Sequence, residues 1–103
     1  MTEAYGGTDM AITLIMDFAG VGQDKYEAAM KELGMEMGKR PDFEGGLMHI
    51  AGPSDNGWTV IDVWESQEHF DRFLADHLGP TSAKVGIPQP SVRVVPVYNS
   101  FGS

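Results

Sequence analysis

The chain has 103 residues, of which 42% are hydrophobic, so it is predicted to fold as one domain with one modest core. Fifteen acidic residues outnumber 7 basic ones and give a net charge of −8, which excludes nucleic acid and an anionic membrane as partners. The absence of cysteine excludes disulfides, thiolate nucleophiles and zinc–thiolate sites, and it fits a reducing, cytoplasmic location.

The ends of the chain differ from its centre in pattern. Residues 1–9 are polar and acidic and lack the basic end and apolar core of a secretory signal, so we expect a flexible N-terminal extension. A single domain is expected over 10–99, followed by a short tail at 100–103. No apolar run reaches the length of a membrane span, and no linker or repeat marks a second domain.

The first half of the domain predicts a strand followed by a helix. MAITLIMDF, residues 10–18, is an apolar and β-branched run before a glycine turn, which indicates a strand buried on both faces. Residues 23–37 have helical periodicity, and Gly38 would end this helix. Its apolar stripe, interpreted as core, consists of Tyr26, Met30, Leu33 and Met37.

The middle of the chain predicts a β-hairpin. Residues 45–52 and 57–65 have the pattern of strands and flank PSDN, and Asn56-Gly57 is a strong hairpin signal. Side chains of the second of these strands alternate between two faces, and both faces are largely apolar. One layer of helices therefore cannot be all that covers this strand.

The period then changes, and a second helix is predicted with Ser66 as its N-cap. Its apolar stripe consists of Phe70, Phe73, Leu74 and Leu78. We expect Gly79-Pro80 to stop this helix and residues 79–91 to form a loop that could include one helical turn. VRVVPVY, residues 92–98, would form the last strand, which Pro96 confines to a sheet edge or a bulge.

The order of elements, β-α-β-β-α-β, predicts a ferredoxin-like α+β fold with a four-stranded antiparallel sheet. Two right-handed crossovers would place the first and third strands in the centre and both helices on one face. The other face would carry Ile61, Val63 and their neighbours on the first strand as a bare apolar patch. We therefore predict a homodimer in which two copies pack sheet against sheet.

The third strand also carries an acid in an unusual position. Trp58, Asp62 and Trp64 share one face of the strand, so the carboxylate lies between two tryptophans. Carboxylates are disfavoured in the middle of strands, and a buried one needs a partner. Arg93 or Lys84 could supply that partner; otherwise Asp62 would face a wet cavity.

Two histidines are candidates to lie near this acid. Pairing Ala51 with Trp58 across the hairpin turns His49 toward the face of Asp62, whereas a slip of one residue would turn it away. His77 is expected on the buried stripe of the second helix. A cavity lined by aromatic residues and methionines, in which an acid and one or two histidines meet, is the general form of a small-molecule site.

Each candidate also has a structural explanation. Trp64 is compatible with core packing, Trp58 with a cap on the hairpin edge, and His77 with compensation of a helix dipole. No residues have the spacing of a metal site, a phosphate loop or a nucleophile triad, and the three histidines include no pair four residues apart. Accordingly, no metal and no cofactor is predicted.

The segment VIDVWESQEHFDRFLADHL, residues 60–78, resembles the antibiotic biosynthesis monooxygenase-like family of the dimeric α/β-barrel superfamily. In that family a strand that ends in V-W-x-S runs into a helix that starts with an acidic residue and Phe. The matching positions here are Val63-Trp64-Glu65-Ser66, Glu68 and Phe70. FEGGLMHIAG before the hairpin and the closing VRVVPVYN support the resemblance, which covers residues 10–99.

This resemblance implies a ferredoxin-like protomer, a homodimer through the sheet faces, and a pocket between sheet and helices. Cofactor-independent members oxidise aromatic polyketides such as anthrones: a base removes a proton, and the resulting anion reacts directly with O₂. On this basis Asp62 and His49 are candidates for the base and the orienting group. The residues expected to contact the substrate are Trp58, Trp64, Phe73 and His77.

The superfamily also contains a haem-degrading branch, which uses an Asn on the first strand and a His late on or beyond the second helix. Here the nearest polar residue of the first strand is Asp17, and His77 matches the His only loosely, so haem is a minor alternative. A non-catalytic binder of small ligands and a protein with a collapsed pocket are two further alternatives.

These alternatives predict different surroundings for Asp62. In an enzyme, Asp62 or a histidine should open into a cavity near Trp64 without a structural salt bridge. In a collapsed pocket, Asp62 should be paired and methionines should fill the space. In a ligand binder, the polar groups of the cavity should all be occupied.

Overall fold

A computed structural model of the chain describes residues 10–101, so the expected N-terminal extension at 1–9 lies outside the described residues. The four strands are β1 (Ile12–Ala19), β2 (Gly46–Ser54), β3 (Gly57–Trp64) and β4 (Ser91–Pro96). The helices are α1 (Gln23–Leu33), α2 (Gln67–Phe73) and α3 (Gly79–Val85), and a π-helical turn (Leu74–Leu78) joins the last two.

The four strands form one antiparallel sheet in the order β2-β3-β1-β4. This order confirms the predicted ferredoxin-like fold, with the first and third strands in the centre. β4 lies at the edge, as predicted from its proline, and Pro96 pairs with Ile12 at the end of the strand. The side chains that β1 and β3 bury on one face are Ile12, Leu14, Met16, Phe18, Trp58, Val60, Asp62 and Trp64.

The helices cover this same face. Phe70 and Phe73 of α2 belong to the core cluster, and Tyr26 and Leu33 of α1 pack against it. The ammonium group of Lys84 on α3 lies 2.8 Å from a carboxylate oxygen of Glu32 on α1. All helices therefore form one layer over the sheet.

The opposite face of the sheet is apolar but only partly covered. Ile15 pairs with Ile61 and Thr13 with Val63, and these four side chains are half-buried. Asp17, at the end of the same row on β1, is exposed. The prediction that the first strand is buried on both faces is therefore wrong for the single chain, in which only the face toward the helices is buried.

The first helix is shorter than predicted. It ends at Leu33, because Gly34 adopts the left-handed conformation with φ of 75° and its N–H bonds back to carbonyls of the last turn. Gly38 was predicted to end the helix, but the helix has already ended before this residue. Met37, assigned to the buried stripe, consequently lies in the following turn and is 73% exposed.

The second helix, in contrast, does not stop where predicted. The N–H of Gly79 bonds to the carbonyl of Leu74, five residues earlier, so the chain makes a wide π-turn and continues as α3. Pro80 then lies in the first turn of α3, directly after the π-turn. No helix within residues 10–101 has the length and hydropathy needed to cross a bilayer.

Ser66 caps the N-terminus of α2 and stabilises the junction between β3 and α2. The Ser66 hydroxyl accepts a hydrogen bond from the His69 N–H at 3.2 Å and lies 2.7 Å from His69 Nδ1. The substitution Ser66→Ala removes this hydroxyl and should lower the free energy of unfolding by about 1 kcal/mol, measured by urea denaturation. Ser91→Ala, at an exposed position, is the control, and an equal loss in both variants would contradict the capping role.

Candidate functional site

The hairpin register brings His49 directly opposite Asp62. The predicted pairing of Ala51 with Trp58 is wrong by two residues, because β2 continues through Pro53 and leaves a turn of only two residues. A shift of two residues preserves which face each side chain occupies. The histidine therefore lies on the expected face, in direct contact with the acid.

Three polar side chains on three elements form a continuous hydrogen-bonded group. Asp62 Oδ1 on β3 lies 2.7 Å from His49 Nδ1 on β2, and His49 Nε2 lies 2.5 Å from the Tyr26 hydroxyl on α1. The second carboxylate oxygen of Asp62 accepts a hydrogen bond from the Trp64 indole N–H at 3.2 Å. We refer to Asp62, His49 and Tyr26 as the triad.

The chemistry of the groups determines where the protons lie. An ionised carboxylate only accepts hydrogen bonds, so His49 Nδ1 must donate to Asp62. In a neutral ring the other nitrogen, Nε2, is then an acceptor, and the Tyr26 hydroxyl donates to it. Asp62 thus holds His49 in the tautomer whose basic nitrogen points away from β3.

Asp62 is buried, with 6% of its surface exposed, and His49 and Trp64 provide the donors that its carboxylate needs. Neither of the predicted cationic partners does so. Lys84 pairs with Glu32, and Arg93 lies opposite Ile15 on the other face of the sheet.

Tyr26 was missed as a site residue in the sequence, where its helical spacing indicated core. The signal that could have identified it is a phenol within an otherwise aliphatic stripe, because a buried hydroxyl usually has a partner. Burial raises the pKa of the Tyr26 phenol, and the negative charge of Asp62 raises it further. The phenol is therefore protonated at neutral pH.

A cavity of about 680 Å³ lies between the sheet and α1, within the size range of about 300–1,000 Å³ for small-molecule sites. All three residues of the triad line it, together with Trp58, Trp64 and Phe73. Five of the seven methionines, on both sides of the cavity, also border it without filling it. The cavity is therefore unfilled, which argues against the alternative of a collapsed pocket filled by methionines.

The two tryptophans occupy different positions in the cavity wall. Trp64 packs against Phe70 and Phe73, with its ring centroid 4.9 Å from that of Phe73, so it belongs to the core and to the cavity. Trp58 contacts Tyr26 with a centroid separation of 5.2 Å. The Trp58 indole N–H is buried and has no hydrogen-bond acceptor among the described residues.

The structure does not place His77 in this cavity. Its ring packs against Phe43 at 5.0 Å and lines a separate pocket of about 150 Å³ on the outer side of Phe73. His77 lies within the π-turn, which changes the phase of the helix, and its side chain is exposed instead of on the buried stripe. Leu74, at the start of this turn, is exposed as well. Within residues 10–101, no three His, Asp or Glu side chains are arranged to hold a metal ion.

Comparison with known proteins identifies the fold. The chain is similar in structure to SnoaB, a cofactor-independent oxygenase from Streptomyces nogalater, with a TM-score of 0.63 and 16% sequence identity over 91% of this chain and 99% of that one. No protein-family model matches the chain, and neither does any curated protein. The structural likeness confirms, at the level of the fold, the resemblance found in the sequence.

The coupling between Tyr26 and Asp62 can be tested by titration. Tyr26 should ionise above the ordinary value of about 10, and Asp62→Asn should lower this pKa only in part, because burial is the larger cause. The tyrosinate absorbance of the wild type and of Asp62→Asn is followed as the pH is raised. Subtracting the absorbance of the same protein with the additional change Tyr26→Phe gives the midpoint of Tyr26 ionisation.

Glu65→Gln removes an exposed carboxylate near the same strand end and should leave this midpoint unchanged. Because the pKa in the folded protein is raised, the associated stability is present below pH about 10 and is lost as the pH rises through the folded-state value. A midpoint that does not move in Asp62→Asn would contradict the coupling.

Proposed function

We propose that this protein is a cofactor-independent, monooxygenase-like enzyme that acts on an aromatic or polyketide-like small molecule. The observation that carries the proposal is the triad, in which an acid, a histidine and a phenol are joined by hydrogen bonds at the wall of a small-molecule cavity. The similar fold of SnoaB, a cofactor-independent oxygenase, supports it. The substrate class comes from the family resemblance and from the aromatic character of the cavity.

In this proposal the triad removes a proton from the substrate. Asp62 fixes the ring of His49 and stabilises the imidazolium that forms when Nε2 gains a proton. The substrate, a phenol or a carbon acid such as an anthrone, becomes an electron-rich anion that reacts with O₂. For a methylene group, one oxygen atom becomes the new carbonyl, and the other leaves as water with the two methylene hydrogens.

The walls of the cavity suit a planar, electron-rich ring. Trp58, Trp64 and Phe73 present aromatic surface, which binds flat molecules by stacking and edge contacts. The walls are largely apolar, so a hydrogen bond made to the anion there is stronger than in solvent.

A non-catalytic ligand binder is the second candidate, and one observation favours it. Both oxygens of Asp62 and both ring nitrogens of His49 already have partners within the protein. The same observation argues against haem, because His49 has no free nitrogen to offer iron and His77 lies outside the cavity. Turnover separates an enzyme from a binder.

Oxygen uptake tests the enzymatic proposal. With 1,8-dihydroxyanthrone as the probe, the protein should consume O₂ and form the quinone faster than the uncatalysed reaction, measured with an oxygen electrode and by absorbance. Asp62→Asn should lower kcat by about 10²-fold or more, because the tautomer of His49 is no longer fixed.

Glu65→Gln, the same change of carboxylate to amide at an exposed position, should retain full activity. Ligand binding without O₂ uptake from any anthrone or quinol would favour the non-catalytic binder. A shift of the haemin Soret band on titration would favour haem.

We also propose that a second copy of the chain covers the open face of the sheet. Ile15, Ile61 and Ile50 form a row across three adjacent strands, and Ile50 is 54% exposed in the single chain. Val63 lies in the next row. A contiguous apolar patch of this kind is rare on monomers and is typical of an interface between copies.

Sedimentation velocity measures this dimer. The protein should sediment as a dimer, and Ile61→Glu should shift it to the monomer, because a carboxylate would be buried against apolar surface without a partner. Leu74→Glu, an exposed apolar position on the helical side, should leave the dimer intact. A wild-type chain that sediments as a single protomer would contradict the proposal.

A further inference from the structure

The hydrogen bonds of the triad restrict which of its atoms a substrate can reach. Asp62 is almost fully buried, and His49 Nε2, the basic nitrogen, is covered by the Tyr26 hydroxyl at 2.5 Å. Tyr26 itself lines the cavity. A phenolic oxygen that donates one hydrogen bond keeps lone pairs with which it can accept another.

We infer that Tyr26 is the catalytic residue that touches the substrate, accepting the substrate proton while its own proton passes to His49. The inference rests on the proposed function and deepens it. It implies that the acidic C–H or O–H of the substrate binds at the Tyr26 hydroxyl, next to the ring of Trp58. His49 and Asp62 then act through Tyr26 and do not contact the substrate.

The proton transfers balance without a charged tyrosine. One bond forms between the substrate proton and the Tyr26 oxygen as the substrate bond breaks. The original O–H bond of Tyr26 breaks as His49 Nε2–H forms, which leaves a substrate anion and an imidazolium paired with Asp62. The proton then returns from His49 through Tyr26 to the oxygen atom that leaves as water, which restores the resting state.

The properties of Tyr26 agree with this role and exclude a simpler one. Burial, with the added effect of Asp62, raises the pKa of the phenol, so Tyr26 is not a standing phenolate base near neutral pH. It becomes a base only as its proton moves to His49. Its ring also lies parallel to that of His49, within 4°, and the 2.5 Å separation joins the two groups directly.

A purely structural role for this hydrogen bond must be separated from the catalytic one, because the bond also ties α1 to β2. In that case, removing the hydroxyl would change stability but not proton transfer. Two rates distinguish the roles. The first is the rate at which the methylene hydrogens of 1,8-dihydroxyanthrone exchange for deuterium in the absence of O₂, which NMR measures. The second is the rate of O₂ consumption with the same compound.

In Tyr26→Phe, kcat for both reactions should fall by about 10²-fold or more, with KM changed only a few-fold. Circular dichroism and the melting temperature report whether the variant is folded. Tyr98→Phe, at a position that is 77% exposed, is the matched control and should retain wild-type rates.

Replacement of Tyr26 by 3-fluorotyrosine retains the hydroxyl and lowers the pKa of the phenol. Activity should return, and the alkaline limb of the pH–rate profile should move to lower pH relative to tyrosine. A hydrogen bond with a structural role alone would restore activity without moving that limb, and this result would overturn the inference.

The outcomes separate the inference from the proposed function. Wild-type exchange without O₂ uptake, lost in Tyr26→Phe, would support the inference and overturn the oxygenase proposal. Wild-type rates of both reactions in Tyr26→Phe would overturn the inference and leave the oxygenase proposal standing. A wild-type protein that accelerates neither reaction would overturn both.

Discussion

The buried carboxylate of Asp62 is the constraint on which the remaining structure depends. An ionised acid with 6% exposure on the apolar face of a sheet is tolerated only with hydrogen-bond donors, and His49 and Trp64 supply them. Meeting this requirement orients an imidazole toward α1, and Tyr26 completes the connection. The interactions that make the acid tolerable in the fold are therefore the same ones that build the site.

Much of this arrangement was predictable because its signals are local. The alternation along β3 indicated that Asp62 shares a face with two tryptophans, and Ser66 indicated the start of α2. His49 was placed on the correct face although the register was wrong, because the error of two residues preserves the side-chain alternation. Fold, acid and histidine all follow from periodicity.

The rest depended on contacts between distant segments, or on geometry that periodicity does not describe. Tyr26 has the spacing of a core residue, and only the docking of α1 on the hairpin reveals its hydroxyl as part of the site. His77 was misplaced because a π-turn changes the phase of a helix without a clear sequence signal. Both Gly34 and Gly38 can end a helix, and local pattern does not decide between them.

The two central strands, β1 and β3, contribute side chains to both faces of the sheet, so the register of β3 determines which residues each face presents. Asp62 and its same-face neighbours build the cavity, and Ile61 and Val63 build the opposite apolar face. A slip of one residue would exchange these two sets and bury the wrong side chains on both faces. Gly57 opposes such a slip, because a Cβ atom there would lie 2.0 Å from the Phe18 carbonyl oxygen, so no other residue fits where β3 begins against β1. The glycine first noticed as a turn signal thus also holds the strand in the register that forms the site.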